Sequence, residues 1–144
     1  MPKAVLDTTV LVSAFLRRLQ GGASFELLRL VEEGAFELYT SNEILAEVAD
    51  VLINRGHIRQ RYRYMNTAVV EFCKGIGRLS VIVSEVPEVK AVRDPNDDMV
   101  VGCALAAGAD YIVTRDKDLL SLREYRGITI IRPEDFLPVL RART

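Results

Sequence analysis

Four acidic residues stand where a chain of this kind could do chemistry: Asp7, Glu47, Asp97 and Asp116. Asp7 ends the apolar run Ala4-Val5-Leu6, and Asp116 comes just after Tyr111-Ile112-Val113-Thr114. If both runs are parallel strands of one sheet, both carboxylates lie at its carboxyl edge. Ligands bind at that edge in open α/β sheets. Carboxylates brought together repel one another unless a cation shares them. Hard oxygen donors select Mg²⁺ or Mn²⁺. The chemistry expected is metal-dependent attack on a phosphate ester.

Each acid also has a plainer role. Asp7 could cap the helix that follows it. A buried strand that ends in a carboxylate beside two threonines is nevertheless unusual without a charge partner. Glu47 lies in a helix with several glutamates, most of which would be solvated, but it borders the apolar stripe. Asp94-Pro95-Asn96-Asp97-Asp98 is an acidic helix entrance, which the helix dipole favours without any ligand. Its three aspartates cannot all be caps. Thr114-Arg115-Asp116-Lys117-Asp118 repeats the pattern. Three such clusters at predicted strand ends or helix starts are harder to explain as caps than any one alone.

The densest basic stretch is Arg55, Arg59, Arg61 and Arg63, interleaved with His57, Tyr62 and Tyr64. Arginine forks grip phosphates and tyrosines stack on unpaired bases. The competing role is a solvated helix face whose tyrosines pack inward. Arg17 and Arg18 form a weaker basic pair. Arg115 either meets phosphate or pairs with a carboxylate. His57, the lone histidine, is remote in sequence from the acids and is read as a surface residue or phosphate contact.

The elements that must position these residues follow from patterning. Strands are expected at 3–6, 36–39, 79–83, 111–114 and 128–131. Helices are expected at 10–19, capped by Thr8 or Thr9, and at about 25–33, closed by Gly34. Thr40 with Glu43, or Ser41 alone, would cap a third that carries Ile44, Leu45, Val48, Val51 and Leu52. One helical stretch is expected from His57 to about Gly75, and 84–96 reads as a loop. Asp97 or Asp98 opens a helix over 99–107, whose Gly102, Ala104, Ala106 and Ala107 allow close packing on a sheet. A short helical turn holds Leu119 and Leu120, and Pro133 starts a last helix. Strands that alternate with helices predict a parallel sheet covered on both faces.

With 144 residues the chain has the size of one domain. It is 49% hydrophobic and has no Trp, so the core must be Val, Leu, Ile and Ala. Net charge is −1, so any nucleic-acid binding must rest on a local patch. Cys73 and Cys103 sit in apolar helical patterns and read as reduced core residues. No leader and no membrane span is apparent. The expectation is a soluble cytoplasmic protein.

Val5-Leu6-Asp7-Thr8-Thr9-Val10 resembles the opening of a PIN-domain nuclease. The 94–98 segment, Cys103-Ala104 and the run from Gly108 to Leu120 resemble its carboxyl half, and Gly127 to Phe136 its closing strand and helix. The likeness spans nearly the whole chain and is nearest to the PIN-family toxins of bacterial and archaeal toxin–antitoxin pairs. It implies a single domain over 1–144, an α/β/α sandwich with a central parallel sheet of about five strands. It implies a Mg²⁺- or Mn²⁺-dependent ribonuclease acting through Asp7, Glu47, Asp97 and Asp116, with Asp98 as an alternate to Asp97. Thr8, Thr9, Thr114, Asp94 and Asp118 would support them. Thr9 stands where the family often has Asn. RNA contacts would come from Arg55, Arg59, Arg61, Arg63 and Arg115. A homodimer and an antitoxin partner are implied too. The alternative is a PIN-like module that binds RNA or a protein without cutting. A receiver domain lacks its expected lysine at Arg132-Pro133, and a haloacid-type phosphatase lacks a second Asp at Thr9.

Overall fold

In the computed structural model of the protein, residues 1–143 are described, and the elements below are those of the described residues. Its sheet has six strands: β1 (Lys3–Leu6), β2 (Glu37–Ser41), β3 (Ser80–Val83), β4 (Tyr111–Val113), β5 (Glu124–Tyr125) and β6 (Ile128–Ile131). Their order is β3-β2-β1-β4-β6-β5, with every neighbouring pair parallel except β5 and β6. Eight helices flank the sheet in an α/β/α arrangement: α1 (Thr8–Leu16), α2 (Ala23–Glu32), α3 (Asn42–Asn54), α4 (Gly56–Arg61), α5 (Asn66–Leu79), α6 (Pro95–Ala107), α7 (Lys117–Leu122) and α8 (Pro133–Arg141).

The five expected strands are present, within a residue or so of their expected bounds. The sixth corrects the count. β5 is only two residues long, too short for any periodicity. It leads into β6 through Arg126 (φ 49°) and Gly127 (φ 84°). Two consecutive left-handed residues make the hairpin turn whose twist suits paired strands.

β1 lies between β2 and β4 and is almost wholly buried; Ala4, Val5 and Leu6 are each 0% exposed. A strand covered on both faces reads as an apolar run, and only Lys3, at its half-buried start, departs from that. Its register sets Leu6 opposite Val113. The carboxyl ends of β1 and β4 therefore stand side by side, and the chain leaves them as Asp7 and as Thr114-Arg115-Asp116.

Helix starts differ from the sequence expectation in an informative way. Asp7, not Thr8 or Thr9, caps α1 by accepting from the Val10 amide, and α1 ends at Leu16, short of residue 19. Ser41 caps α3 through the Ile44 amide, so the Thr40–Glu43 box does not form. Asp94 caps α6, which begins at Pro95 rather than after Asp97 or Asp98. The single stretch expected from His57 to Gly75 is two helices. The chain extends at Tyr62 and Met65. The Arg59 guanidinium bridges Asn66 Oδ1 (2.6 Å) and the Tyr64 carbonyl (3.1 Å), while the Tyr64 hydroxyl donates to the Leu52 carbonyl (2.6 Å). These long-range bonds fold the segment back on α3, which local periodicity does not reveal.

α6 is buried on nearly all sides through Val100, Val101, Gly102, Cys103 and Ala104. It packs on the central strands, and the 84–94 segment crosses it like a strap. A Cβ at Gly102 would stand 2.5 Å from the Pro87 carbonyl oxygen. Only glycine admits that approach. Cys73 and Cys103 are both free, and burial pushes the Cys103 thiol up to about 12. No helix among the described residues is long and apolar enough to cross a membrane.

Candidate active site

Asp7 is built into the end of β1. Its amide donates to the Val113 carbonyl (3.0 Å), which continues the ladder to β4 for one residue. Its side chain is 1% exposed. Oδ1 accepts from the Thr9 hydroxyl (2.6 Å) and the Val10 amide (3.1 Å), and Oδ2 accepts from the Thr114 hydroxyl. The two threonines are themselves tied down. The Arg115 amide donates to Thr9 Oγ1 and the Asp116 amide to Thr114 Oγ1, each at 2.9 Å. Asp7 is thus the cap of α1, and the same carboxylate, held by three donors, lines the cleft.

Burial pushes the Asp7 carboxyl up to about 6; its three hydrogen bonds offset part of this, and the Asp116 charge adds to it. None of the ion pairs formed among the described residues involves Asp7, Glu47, Asp97 or Asp116.

Asp116 caps α7 through the Leu119 amide (2.9 Å), and the Tyr111–Val113 strand delivers it beside Asp7. Asp97 sits in the first turn of α6, near enough to Asp116 for the two carboxyls to repel. Burial, then the charges of Asp116, Asp94 and Asp7, push its carboxyl up to about 7. Glu47 comes from α3, where its Oε2 accepts from the Thr8 hydroxyl (3.0 Å). Burial raises it as well; the Thr8 hydrogen bond and Arg55 oppose that, and Asp94 and Asp50 reinforce it.

These residues line one cleft of about 510 Å³, together with Thr8, Thr9, Asp94 and Asn96. Asp98 is not among them. Its Oδ1 accepts from the Ala91 and Val92 amides (2.8 and 2.9 Å) and so ties down the strap. Of the two aspartates left open by the sequence, the structure turns Asp97 to the cleft and Asp98 to the loop. Asp118 is exposed and outside the cleft lining.

The basic residues separate in the same way. Arg55 lines the cleft. Arg59 is spent on the α4–α5 turn, Arg61 lies over the Tyr62 ring at 5.7 Å, and Arg63 is exposed. Arg115 pairs with Glu134 (2.8 Å) and donates to the Ser24 hydroxyl, which ties α2 to α8.

Sequence reasoning missed the cleft's other wall: Val12, Ser13 and Leu16 from α1, Val51 from α3, and Asn96. The signal was present in the spacing. Thr8, Val12 and Leu16, with Thr9, Ser13 and Arg17, recur every four residues, as do Glu47, Val51 and Arg55. Such intervals put each set on one helix face.

Whether the site suits a cation can be judged from its donors. Carboxylate, hydroxyl and amide oxygens fit a hard divalent ion in kind. The carboxyls of Asp7, Asp97 and Glu47 are raised first by burial and then by one another's or neighbouring acids' charge. Among the described residues, however, no three acidic, His or Cys side chains already stand close enough to hold a metal ion. Asp7 and Asp116 are fixed by their caps. Closure of a shell would fall to Asp97 and Glu47, which are half-buried on helix faces.

Comparison with known proteins agrees with this architecture. Among solved structures, PAE2754 from Pyrobaculum aerophilum superposes with a TM-score of 0.66 at 16% identity, over 98% of this chain and 90% of that one. VapBC2 from Rickettsia felis, bound to a DNA fragment from their promoter, gives 0.59 at 14% identity over 89% and 96%. A search of curated proteins finds no match. The profile of the PIN domain matches residues 3–118, which takes in all four acids and both strands that deliver Asp7 and Asp116. The chain therefore belongs to the PIN domain family, whose members are generally nucleases.

Proposed function

We propose that this protein is a Mg²⁺- or Mn²⁺-dependent endoribonuclease, and the toxin of a toxin–antitoxin pair. One observation carries the reading: Asp7, Glu47, Asp94, Asp97 and Asp116 converge on one cleft at the carboxyl edge of the sheet, and at least three of them are held above their ordinary titration range. Folding them together is costly unless the cleft serves a cation.

Asp7, Asp97 and Asp116 would hold the metal, with Glu47 direct or through water. When bound, it would neutralise the scissile phosphate and acidify a water for in-line attack. The protein's own contribution is orientation. Thr9, Thr114 and the Val10 amide hold both Asp7 oxygens, so the carboxylate loses no further entropy on binding. Thr8 aims Glu47, and Asp94 caps α6 so that Asp97 enters from its first turn.

Similarity to VapBC2 supports an antitoxin partner. A homodimer through the apolar faces of the helices between Asn42 and Cys73 is supported by exposed Met65 and Val70 on and beside α5.

The test is calorimetric titration of Mn²⁺ or Mg²⁺ into wild type and Asp7→Asn, with labelled single-stranded RNA incubated in parallel. Metal binding and cleavage should both vanish in the variant. Full cleavage by Asp7→Asn would sink the assignment. Metal binding without cleavage of any RNA tried would favour a silent binding module.

A further inference from the structure

The cleft does not end at the carboxylates. Beyond Thr8 and Glu47 it runs on between α1 and α3, and its chemistry changes. Val12, Leu16 and Val51 form apolar walls, Arg17 and Arg55 stand at exposed positions, and Tyr62 enters from the α4–α5 turn. Of the cleft's five acids, only Glu47 shares a helix with these residues, one turn before Val51, and Arg55 opposes its charge. The volume of about 510 Å³ falls in the range of about 300–1,000 Å³ typical of pockets for organic ligands. A phosphate and its counter-ions need no apolar wall. A nucleobase does, and Tyr62 supplies a ring for it to stack on.

We propose that this arm is a subsite for one unstacked nucleoside next to the scissile phosphate. The base lies against Val12, Leu16 and Val51 and stacks on Tyr62, while Arg17 and Arg55 take the flanking phosphates. The inference rests on the nuclease reading but assigns different residues. It makes Tyr62, Arg17 and Arg55 the determinants of strand state. A base inside a duplex is stacked between its neighbours and cannot enter the arm without being extruded. The enzyme therefore requires single-stranded nucleic acid. Stacking accepts every base, so the subsite selects on strandedness more than on sequence.

The experiment is fluorescence anisotropy with a labelled single-stranded RNA, its single-stranded DNA counterpart and the matching RNA duplex. All are measured with EDTA present, so that neither metal nor cleavage contributes. Wild type should bind the single strands well above the duplex. Tyr62→Ala should weaken single-strand binding about tenfold, Tyr62→Phe should restore most of it, and Arg55→Gln should weaken it too. Unchanged thermal unfolding and an unchanged Mn²⁺ isotherm would separate this loss from misfolding or damage to the acidic end. Equal binding of duplex and single strand, or indifference to both Tyr62→Ala and Arg55→Gln, would overturn the subsite. Cleavage assayed in parallel tells the two readings apart. An active enzyme indifferent to Tyr62 and Arg55 refutes the subsite alone. An inactive protein that binds single strands through them refutes the nuclease reading alone. Binding of RNA but not DNA would place a 2′-hydroxyl contact in the arm.

Discussion

Asp7 joins three jobs in one carboxyl group: it ends β1, caps α1 and faces the cleft. Its burial has a thermodynamic consequence. The carboxyl titrates near 6 in the fold against about 4 in the open chain, and Asp97 near 7. Between those limits the native state binds more protons than the unfolded one, so stability falls as pH rises. The contribution is complete below pH about 4 and lost once pH passes 6 for Asp7 and 7 for Asp97. For fully buried Asp7 the difference is about 3 kcal/mol at neutral pH. Asp7→Asn should therefore leave the protein at least as stable as wild type at pH 8, and the gap should narrow by pH 5. Urea unfolding at the two pH values checks this. A large loss of stability at pH 8 would mean that the ionised carboxylate, with its three donors, is worth more than its burial costs. Millimolar Mn²⁺ should reverse the wild type's decline, since a cation that binds only the folded state adds stability in proportion to its occupancy.

At the scale of elements, the strap over α6 governs how two of the acids are presented. Asp98 holds its far end by two amides, and Gly102 admits its middle. Loss of the Asp98 acceptor strands two backbone donors, at about 1–3 kcal/mol each when buried and less here, where the loop is half-buried. Gly102→Ala sets two effects against each other. Alanine favours a helix interior by about 1 kcal/mol. Its methyl would meet a backbone oxygen at 2.5 Å, and overpacking of this kind costs about 1–3 kcal/mol. The clash should win. Both variants should show faster proteolysis within 84–94, and weaker Mn²⁺ binding because Asp94 and Asp97 follow directly from the strap. Unaltered proteolysis in both would show that the strap is held elsewhere. The elements themselves were largely legible in the sequence, because four-residue β-branched runs and apolar spacings of three and four residues are local signals. The cap residues were less so. Asp7 and Ser41 each sit beside an equally good capping residue, and the choice is made by where the strand ends; Asp94 competes with Asp97 and Asp98, three and four residues on. The Arg59 and Tyr64 bonds that divide α4 from α5, and the two-residue β5, leave no local trace at all. Of the candidate site, the acids were legible by type and position. The Asp97 and Asp98 choice was not, since adjacent residues on a helix point about 100° apart and the phase depends on a cap at Asp94.

The whole molecule carries a net charge of −1 and concentrates five carboxylates in one cleft. It therefore has little long-range attraction for a polyanion. If Arg17 and Arg55 make the phosphate contacts, affinity for a single strand should fall with salt at a log–log slope of about −0.7 for each contact. A slope near −1.4 is expected from anisotropy across a salt series, far shallower than that of a broad basic surface. A steep slope would point instead to the outer arginines, Arg61 and Arg63.

The sheet order adds one consequence in time. Asp7 meets Thr114 across a sequence separation of 107 residues, because β1 must wait for β4 as its second neighbour. Synthesis proceeds at about 5–20 residues per second. A growing chain thus displays Asp7 and Glu47 well before it has the strand that brings Asp116 beside them. By the time Asp97 has been added it holds every acid of the cleft but Asp116, yet without β4 the carboxyl edge that gathers them is unfinished. On the nuclease reading, activity would appear only after β4 has emerged and docked beside β1, which would give a partner translated nearby time to be waiting.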